Sequence, residues 1–369
     1  MLSPKNAIVA FGFATGTGTL CEAEGCLEQA PKSDTMASTA SNKGILRINI
    51  GDNIVKFYFS SVPLIFIPTL ILLAFAYTNA EQVIGANNSL ETPQGARSAA
   101  VGTAVLPVQG DLASLAQNPL QLSWLEKLSL SFAHVSYFEE TSYNGVVMAL
   151  PLKGAGALGL AASRFGASDI PHIKENEPLP EGDNYNTMNI SDWIFTSAWG
   201  KNFGKWNLAF ALHLLKRELD QSGWGFSSDI AAGYELSKKL MLASIVKSWT
   251  SSAVKWESGY FEYSLPEVYA AFKFREPFPY FYGNLNLYWQ SAGILHSGVE
   301  NWFLASSGGL EFETNFSLAL RAGLVKINDA SSLTLGAGIK PLSNLSADYA
   351  LQMHNYLSNV HRISITVNF

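Results

Sequence analysis

The chain has 369 residues, a formal net charge of −6, and 15% charged side chains against 48% hydrophobic ones. A soluble domain usually carries closer to a quarter charged residues, and mild acidity without a clustered basic face leaves no footprint for nucleic acid. Both cysteines, Cys21 and Cys26, stand near the start, so no disulfide, thiolate metal site or cysteine nucleophile is available downstream.

Residues 1–41 are small and polar with no period, and Met36 offers an alternative start. Lys43, Arg47 and Lys56 then precede an uncharged run from Phe57 to Ala80, centred on VPLIFIPTLILLAFA and closing on Thr78-Asn79-Ala80. A basic flank, an apolar core and a small terminal residue describe a secretory signal. The run is also nearly long enough to remain as a membrane helix, but Pro63 and Pro68 break it. Cleavage near Ala80 leaves 369 − 80 = 289 residues. The expected division is a leader over 1–80, a periplasmic lead and N-terminal plug over 81–122, and a β-barrel over 123–369.

Gly95 to Leu122 is rich in alanine and glycine and carries Pro107 and Pro119, so it makes neither a long helix nor a long strand. A short helical turn is expected around Asp111–Gln117, stopped by Asn118-Pro119. Small residues of this kind suit a compact piece tucked against or inside something larger; a plain linker is the alternative.

Strand patterns then begin near Lys127, Ser142, Gly154, Ile190, Lys205, Gly223, Lys239, Leu265, Pro279, Asn301, Asn315, Ala330, Asn344 and Leu357, fourteen in all. Several alternate cleanly. Phe316, Leu318, Leu320 and Leu324 oppose Ser317, Ala319, Arg321 and Gly323; Phe226, Ile230 and Tyr234 oppose Ser227, Asp229 and Glu235. The last nine residues, HRISITVNF, set Ile363, Ile365, Val367 and Phe369 against Arg362, Ser364, Thr366 and Asn368, and Phe369 serves as an aromatic barrel-end signal. Leu208–Leu215 mixes Leu and Ala in a way that also suits a helix. Tight turns are expected at Lys153-Gly154, Gly204-Lys205, Ser237-Lys238, Glu276-Pro277, Glu313-Thr314 and Leu342-Ser343. Longer loops are expected over Ala167–Met188, Thr250–Ser264 and Ser291–Glu300. Short connections at one end and long ones at the other describe a bacterial outer-membrane barrel, all-β and antiparallel, with an even strand number. Trp193, Trp199, Trp206, Trp224, Tyr269, Tyr280, Tyr282, Trp289 and Trp302 lie near strand ends, where headgroup-level girdles form.

The glycine fingerprint from Gly154 to Gly159 lacks the helix and acidic residue of a dinucleotide site. No nucleophile elbow occurs, the six histidines are scattered, and the acidic loop Glu175–Asp183 lacks calcium-loop spacing. No cofactor, metal or catalytic residue is assigned, and an enzyme is not expected. Asp229, Glu235, Lys273, Arg275, Arg321 and Asp348 fall on inward faces, because a basic residue facing lipid at midplane costs about 2–4 kcal/mol. Several of them are expected to contact the plug, with Arg97 as one partner.

Gly95-Ala96-Arg97-Ser98, followed by Gly102, Ala104, Asp111, Ala113, Asn118 and Pro119, resembles the opening of the PorV/PorQ family, which is similar to FadL-like long-chain fatty-acid transporter barrels. The chain departs from that pattern in having Ala99-Ala100-Val101-Gly102-Thr103 where the family is richer in glycine, and Leu120 after Asn-Pro. The resemblance implies a fourteen-stranded outer-membrane barrel whose N-terminal segment is a plug. It also implies a role in type IX secretion or surface attachment, with secreted proteins or secretion components as partners. The alternative is FadL-like passage of hydrophobic small molecules. The outer-membrane lipid is a partner in either case. The mixed, polar look of the inner faces tilts the sequence reading toward secretion.

Overall fold

A computed structural model describes residues 44–50, 53–59, 90, 92–137, 141–172, 186–219, 221–250, 252–264, 266–294, 303–327, 330–354 and 357–369. The chain divides into two compact units, Met1–Leu70 and Ile71–Phe369. The described part of the first is an antiparallel hairpin of β1 (Gly44–Ile50) and β2 (Asn53–Phe59). Beyond Phe57-Tyr58-Phe59, which end β2, the expected signal and its cleavage position near Ala80 lie outside the described residues, as does the acidic loop.

In the second unit the strands follow as β3 (Ser129–Ser136), β4 (Ser142–Leu152), β5 (Gly156–His172), β6 (Asn186–Phe203), β7 (Trp206–Glu218), β8 (Ser222–Glu235), β9 (Leu240–Lys247), β10 (Ser252–Trp256), β11 (Phe261–Ser264), β12 (Glu267–Phe278), β13 (Gly283–Ile294), β14 (Phe303–Thr314), β15 (Leu318–Ile327), β16 (Ala330–Leu342), β17 (Leu345–His354) and β18 (Val360–Asn368). All pairings are antiparallel, and β18 pairs back onto β3 from His361↔Ser136 to Asn368↔Ser129. That seam closes the barrel. With the first and last strands paired, neither is left as an open edge, the condition for a sheet to stand in lipid.

The barrel has fourteen strand positions although sixteen strands form the sheet. The upper half of β8 pairs with β10 (Phe226↔Ala253) and its lower half with β9 (Ile230↔Val246). Strands β9 and β10 are therefore one wall position interrupted by a bulge. Six residues, 247–252, stand opposite three on β8, 227–229, and Ser248 takes a left-handed φ of 52° to make the step. Strands β11 and β12 follow the same break. The expected loop over Thr250–Ser264 is thus mostly the β10–β11 hairpin, and Ala167–Met188 is shortened because β5 and β6 stay paired out to His172↔Asn186.

Large side chains face out and small ones in. Leu158, Leu160, Phe195, Leu212, Leu214 and Leu320 are exposed, whereas Ala157, Ala161, Ala198, Ala209 and Ala211 are buried. This resolves Leu208–Leu215, which is strand β7: its inward alanines pack on apolar plug residues, so both faces read as oily. Residues whose outer apolar chains form such a band belong in a bilayer, and the molecule is a bacterial outer-membrane barrel.

Tight reversals occupy one end, with Gly154 and Gly204 at φ of 74° and 72°. Two expected turns are displaced. Strand β12 runs on through Glu276-Pro277, and the chain reverses in a 3-10 turn over Pro279–Phe281 with Tyr282 left-handed. Glu313-Thr314 likewise ends β14, and Ser317 at φ 66° makes the reversal. Phe369 is exposed at this same end, and its N–H donates to Leu128 O at 2.8 Å across the seam. Exposed aromatics crowd this turn end at Phe203, Phe281, Tyr282 and Phe316. Tyr269, expected in a girdle, instead faces the lumen, because it shares the inward register of Ala271 and Glu267.

The plug within the lumen

Residues 92–124 lie inside the barrel and pack against its inner wall. The segment contains one five-residue helix, α1 (Ala96–Ala100), and 3-10 turns at Leu112–Ser114 and Pro119–Trp124. The helical turn expected at Asp111–Gln117 is this first 3-10 turn. Asn118 stops it: its side chain accepts from Leu120 N at 3.1 Å and donates to Val105 O and Leu106 O at 3.0 and 3.2 Å. Pro119 opens the second turn, where a missing N–H costs nothing.

Glycines on the wall let the plug backbone touch it. A Cβ on Gly323 of β15 would lie 2.1 Å from Gly102 N, one on Gly309 of β14 2.7 Å from Val101 Cα, and one on Gly336 of β16 2.4 Å from Ala100 Cβ. Gly102 itself needs φ of 76°, and a Cβ there would strike Gly308 O at 2.4 Å. Between these seats Thr334 hydrogen-bonds twice, accepting from Gly102 N at 2.9 Å and donating to Ala100 O at 3.0 Å. On the opposite wall Leu112, Leu115 and Leu122 pack on the inward alanines of β4 to β7.

An ion cluster joins the plug to four strands. Arg97 grips Glu311 of β14 with two hydrogen bonds, Nε–Oε2 at 2.9 Å and NH2–Oε1 at 2.8 Å, and reaches Glu313 at 2.7 Å. Arg321 of β15 donates to Glu311 at 2.6 Å and to Asp348 of β17 at 2.7 Å. Tyr288 and Asn286 of β13 complete the set on Glu311, at 2.8 and 3.2 Å. Glu311 is fully buried. Burial alone would push the Arg97 guanidinium down, and the neighbouring Glu311 and Glu313 charges more than offset it, holding Arg97 above its ordinary range. Nearby, Lys273 donates to Gln109 at 2.9 Å.

The structure therefore brings Arg97, Arg321, Asp348 and Lys273 together. Inside the plug Ser98 N and Ser114 Oγ donate to Asp111 at 2.9 and 3.0 Å, and Gly95 leaves the room that the Asp111 carboxylate occupies; toward the wall Ala96 N donates to Ser364 of β18 at 3.3 Å. The other inward charges are elsewhere. Glu235 is half-buried near the turn end, facing Asn207 at 3.4 Å. Arg275 keeps the inward register but stands exposed at the rim, two residues along β12 from Lys273. Asp229 lies at the wall break. It accepts from Ser248 N at 2.9 Å and from His213 Nε2 at 3.2 Å, while His213 Nδ1 meets Thr196 Oγ1 at 2.9 Å. Sequence reasoning missed Glu311, the centre of the cluster, although Leu310, Glu311, Phe312 and Glu313 alternate; it had placed Glu313 in a turn and so did not project the pattern back.

The plug separates two cavities. The lower, about 410 Å³, opens toward the turn end and is bordered by Arg97, Trp124, Lys127, Glu313, Lys340 and Asp348. The upper, about 570 Å³, lies between the plug and the far end. Val105 and Leu106 form its floor, and its walls mix Phe165, Ile245, Tyr269 and Val325 with Lys247, Gln290, Ser306, Ser307, Gln352 and His354. Arg362 borders it too, almost fully buried. Arg362 donates to Pro93 O at 3.2 Å, while its NH1 has no partner among the described residues. Leu90, Val135, Tyr143, Ile194, Leu215 and Val254 form an apolar cluster toward the far end.

No protein-family model matches the chain, and no curated protein matches it. Solved structures do. The toluene transporter TodX of Pseudomonas putida superposes with a TM-score of 0.51 at 11% identity, covering 74% of this chain and 97% of TodX. The monoaromatic hydrocarbon channel CymD superposes with a TM-score of 0.50 at 12% identity, covering 75% of this chain and 98% of CymD. At such identities the likeness concerns the fold. Nothing in these comparisons supports the PorV/PorQ resemblance.

Proposed function

We propose that the barrel passes small hydrophobic molecules across the outer membrane by way of the upper cavity. The observation that carries this reading is that cavity: about 570 Å³, within the range of small-molecule sites, with an apolar patch of Val105, Leu106, Phe165, Ile245 and Val325 set among polar groups that include Gln290, His354 and Arg362, and closed off from the turn end by a plug. A water-filled pore would have no use for such a seal. The fold likeness to barrels named as a toluene transporter and a monoaromatic hydrocarbon channel supports the same reading. In it the plug motif and the inward charges hold the closed state: Arg97 of the plug grips Glu311 and Glu313, Arg321 and Asp348 brace Glu311 from the wall, Lys273 holds Gln109, and Gly102 seats the plug. The secretion role rests on the short motif from Gly95 to Pro119 and ranks second.

The test is uptake of toluene and of a medium-chain fatty acid by vesicles carrying the purified barrel. Ala292, buried on β13 and lining the upper cavity, is replaced by Trp to fill it. Uptake is expected to fall at least tenfold with an unchanged melting curve. Unaltered uptake in Ala292→Trp overturns the route. A wild-type barrel that takes up neither compound but retains exported proteins in a pull-down returns the argument to secretion.

A further inference from the structure

The strand registers place six outward side chains in one row across the wall. Arg164 of β5 pairs with Trp193 of β6, Trp193 with Lys216 of β7, Lys216 with Trp224 of β8, Trp224 with Lys255 of β10, and Lys255 with Phe261 of β11. Cation and aromatic alternate. Each cation lies over the next ring: Arg164 over Trp193 at 5.9 Å, Lys216 over Trp224 at 5.7 Å, and Lys255 over Phe261 at 5.7 Å.

The row sits at the end away from the tight turns and the carboxy terminus, the exterior side of an outer-membrane barrel. Ten residues of β6 separate Trp193 from the turn-end ring of Phe203. That is roughly 34 Å along a strand and about 26 Å of height at a 40° tilt, close to the apolar band of about 25 Å. The row therefore stands at outer-leaflet headgroup level. One pleat step toward midplane, the next outward row is Ala162, Phe195, Leu214, Phe226, Ala253 and Tyr263, uncharged throughout. An amphiphile with an anionic head uppermost and acyl chains below matches both rows.

Glu218, one step above, hydrogen-bonds Lys216 and lies in the field of Arg164. No carboxylate pairs with Arg164 or Lys255 among the described residues. Successive cations are two strands apart, roughly 10 Å at the usual strand spacing. A head with phosphates at both ends spans that separation, and the long side chains let neighbouring cations share one phosphate.

We propose that this row is a docking surface for the phosphorylated glycolipid of the outer leaflet, the lipid A part of lipopolysaccharide. The phosphates meet Arg164, Lys216 and Lys255, the sugar rings lie against Trp193 and Trp224, and the acyl chains run down past Phe195, Leu214 and Phe226. The inference concerns the outer wall alone and is independent of what passes through the lumen.

The test is retention of lipid on the purified full-length barrel, read by native mass spectrometry during detergent exchange. The probes are bis-phosphorylated lipid A, the same lipid with its phosphates removed, and phosphatidylglycerol. Wild type is expected to hold lipid A in preference to the other two. A basic residue near a charged surface contributes about 1 kcal/mol, or about fivefold, so Lys255→Gln should weaken retention about fivefold. The triple change Arg164→Gln, Lys216→Gln, Lys255→Gln should weaken it about a hundredfold. Lys340→Gln, at the turn end, should leave it unchanged. Equal retention of dephosphorylated lipid A or of phosphatidylglycerol overturns the assignment, and so does a triple variant that binds as wild type does.

Discussion

Glu311→Ala tests what fastens the plug. Glu311 is buried and accepts hydrogen bonds from Arg97 twice and from Arg321, Tyr288 and Asn286. Its removal leaves two guanidinium groups in the lumen, with Glu313 and Asp348 as their remaining partners. Removing one member of a buried ion pair typically costs about 3–5 kcal/mol. Surviving contacts put the expected loss at the lower end, about 3 kcal/mol, which is roughly a hundredfold in an equilibrium constant. The loss should fall on plug docking, because the ladders of β14 and β15 do not depend on this side chain. The assay is amide hydrogen exchange of the barrel in nanodiscs. Peptides from residues 96–124 should exchange about a hundred times faster, with β3 to β18 unchanged. Arg97→Ala should loosen the same peptides, and the double variant should show a coupling within about 0.5–3 kcal/mol, as for residues in direct contact. If plug exchange in Glu311→Ala stayed within twofold of wild type, the cluster is not the fastening. If wall and plug loosened together, the carboxylate supports the barrel instead.

Four further outcomes follow from the same geometry. Gly323→Val places side-chain atoms where Gly102 N now sits and should raise ion conductance in planar bilayers by displacing the plug; a silent variant would show that the close approach is dispensable. Leu160→Arg, facing lipid halfway between turn end and headgroup row, should cost about 2–4 kcal/mol in folding into vesicles, whereas wild-type stability would mean that this face meets water. His213→Ala removes the hydrogen bonds to Asp229 and Thr196 and should speed exchange of residues 244–254 at the wall break, with the seam between β3 and β18 as an unaffected control. Arg362→Leu removes the guanidinium that borders the upper cavity and should favour toluene over a fatty acid in the uptake assay. Equal loss of both substrates would assign Arg362 to the fold.

The barrel was legible because its signal is a repeat. Period-2 alternation pins each strand to one register, and a slip by one residue would turn every large side chain inward. The pattern of Phe316 to Leu324, or of HRISITVNF, therefore located strands without reference to the lumen. The expected strand starts at Ser142, Lys205, Lys239 and Asn344 fall within a residue of the observed β4, β7, β9 and β17. The break between β9 and β10 was not legible, since Ser248-Trp249-Thr250 reads as a loop until β8 is seen to pair on both sides of it. Inward charges could be named one strand at a time, but which of them meet depends on stagger between strands far apart in sequence. Arg97 and Glu311 are 214 positions apart. The row from Arg164 to Phe261 was hidden for the same reason: Trp193 and Trp224 read as girdle aromatics, but the cations that alternate with them stand on other strands.

The glycine seats bear on how freely such barrels can exchange parts. At Gly309 and Gly323 the wall receives the plug backbone itself, and at Gly336 the methyl of Ala100, so even one added methyl group is refused. A plug transplanted from a sister barrel would need β14, β15 and β16 to travel with it, and a wall given a foreign plug would close over a misfit. Lumen and stopper must then change together at these seats.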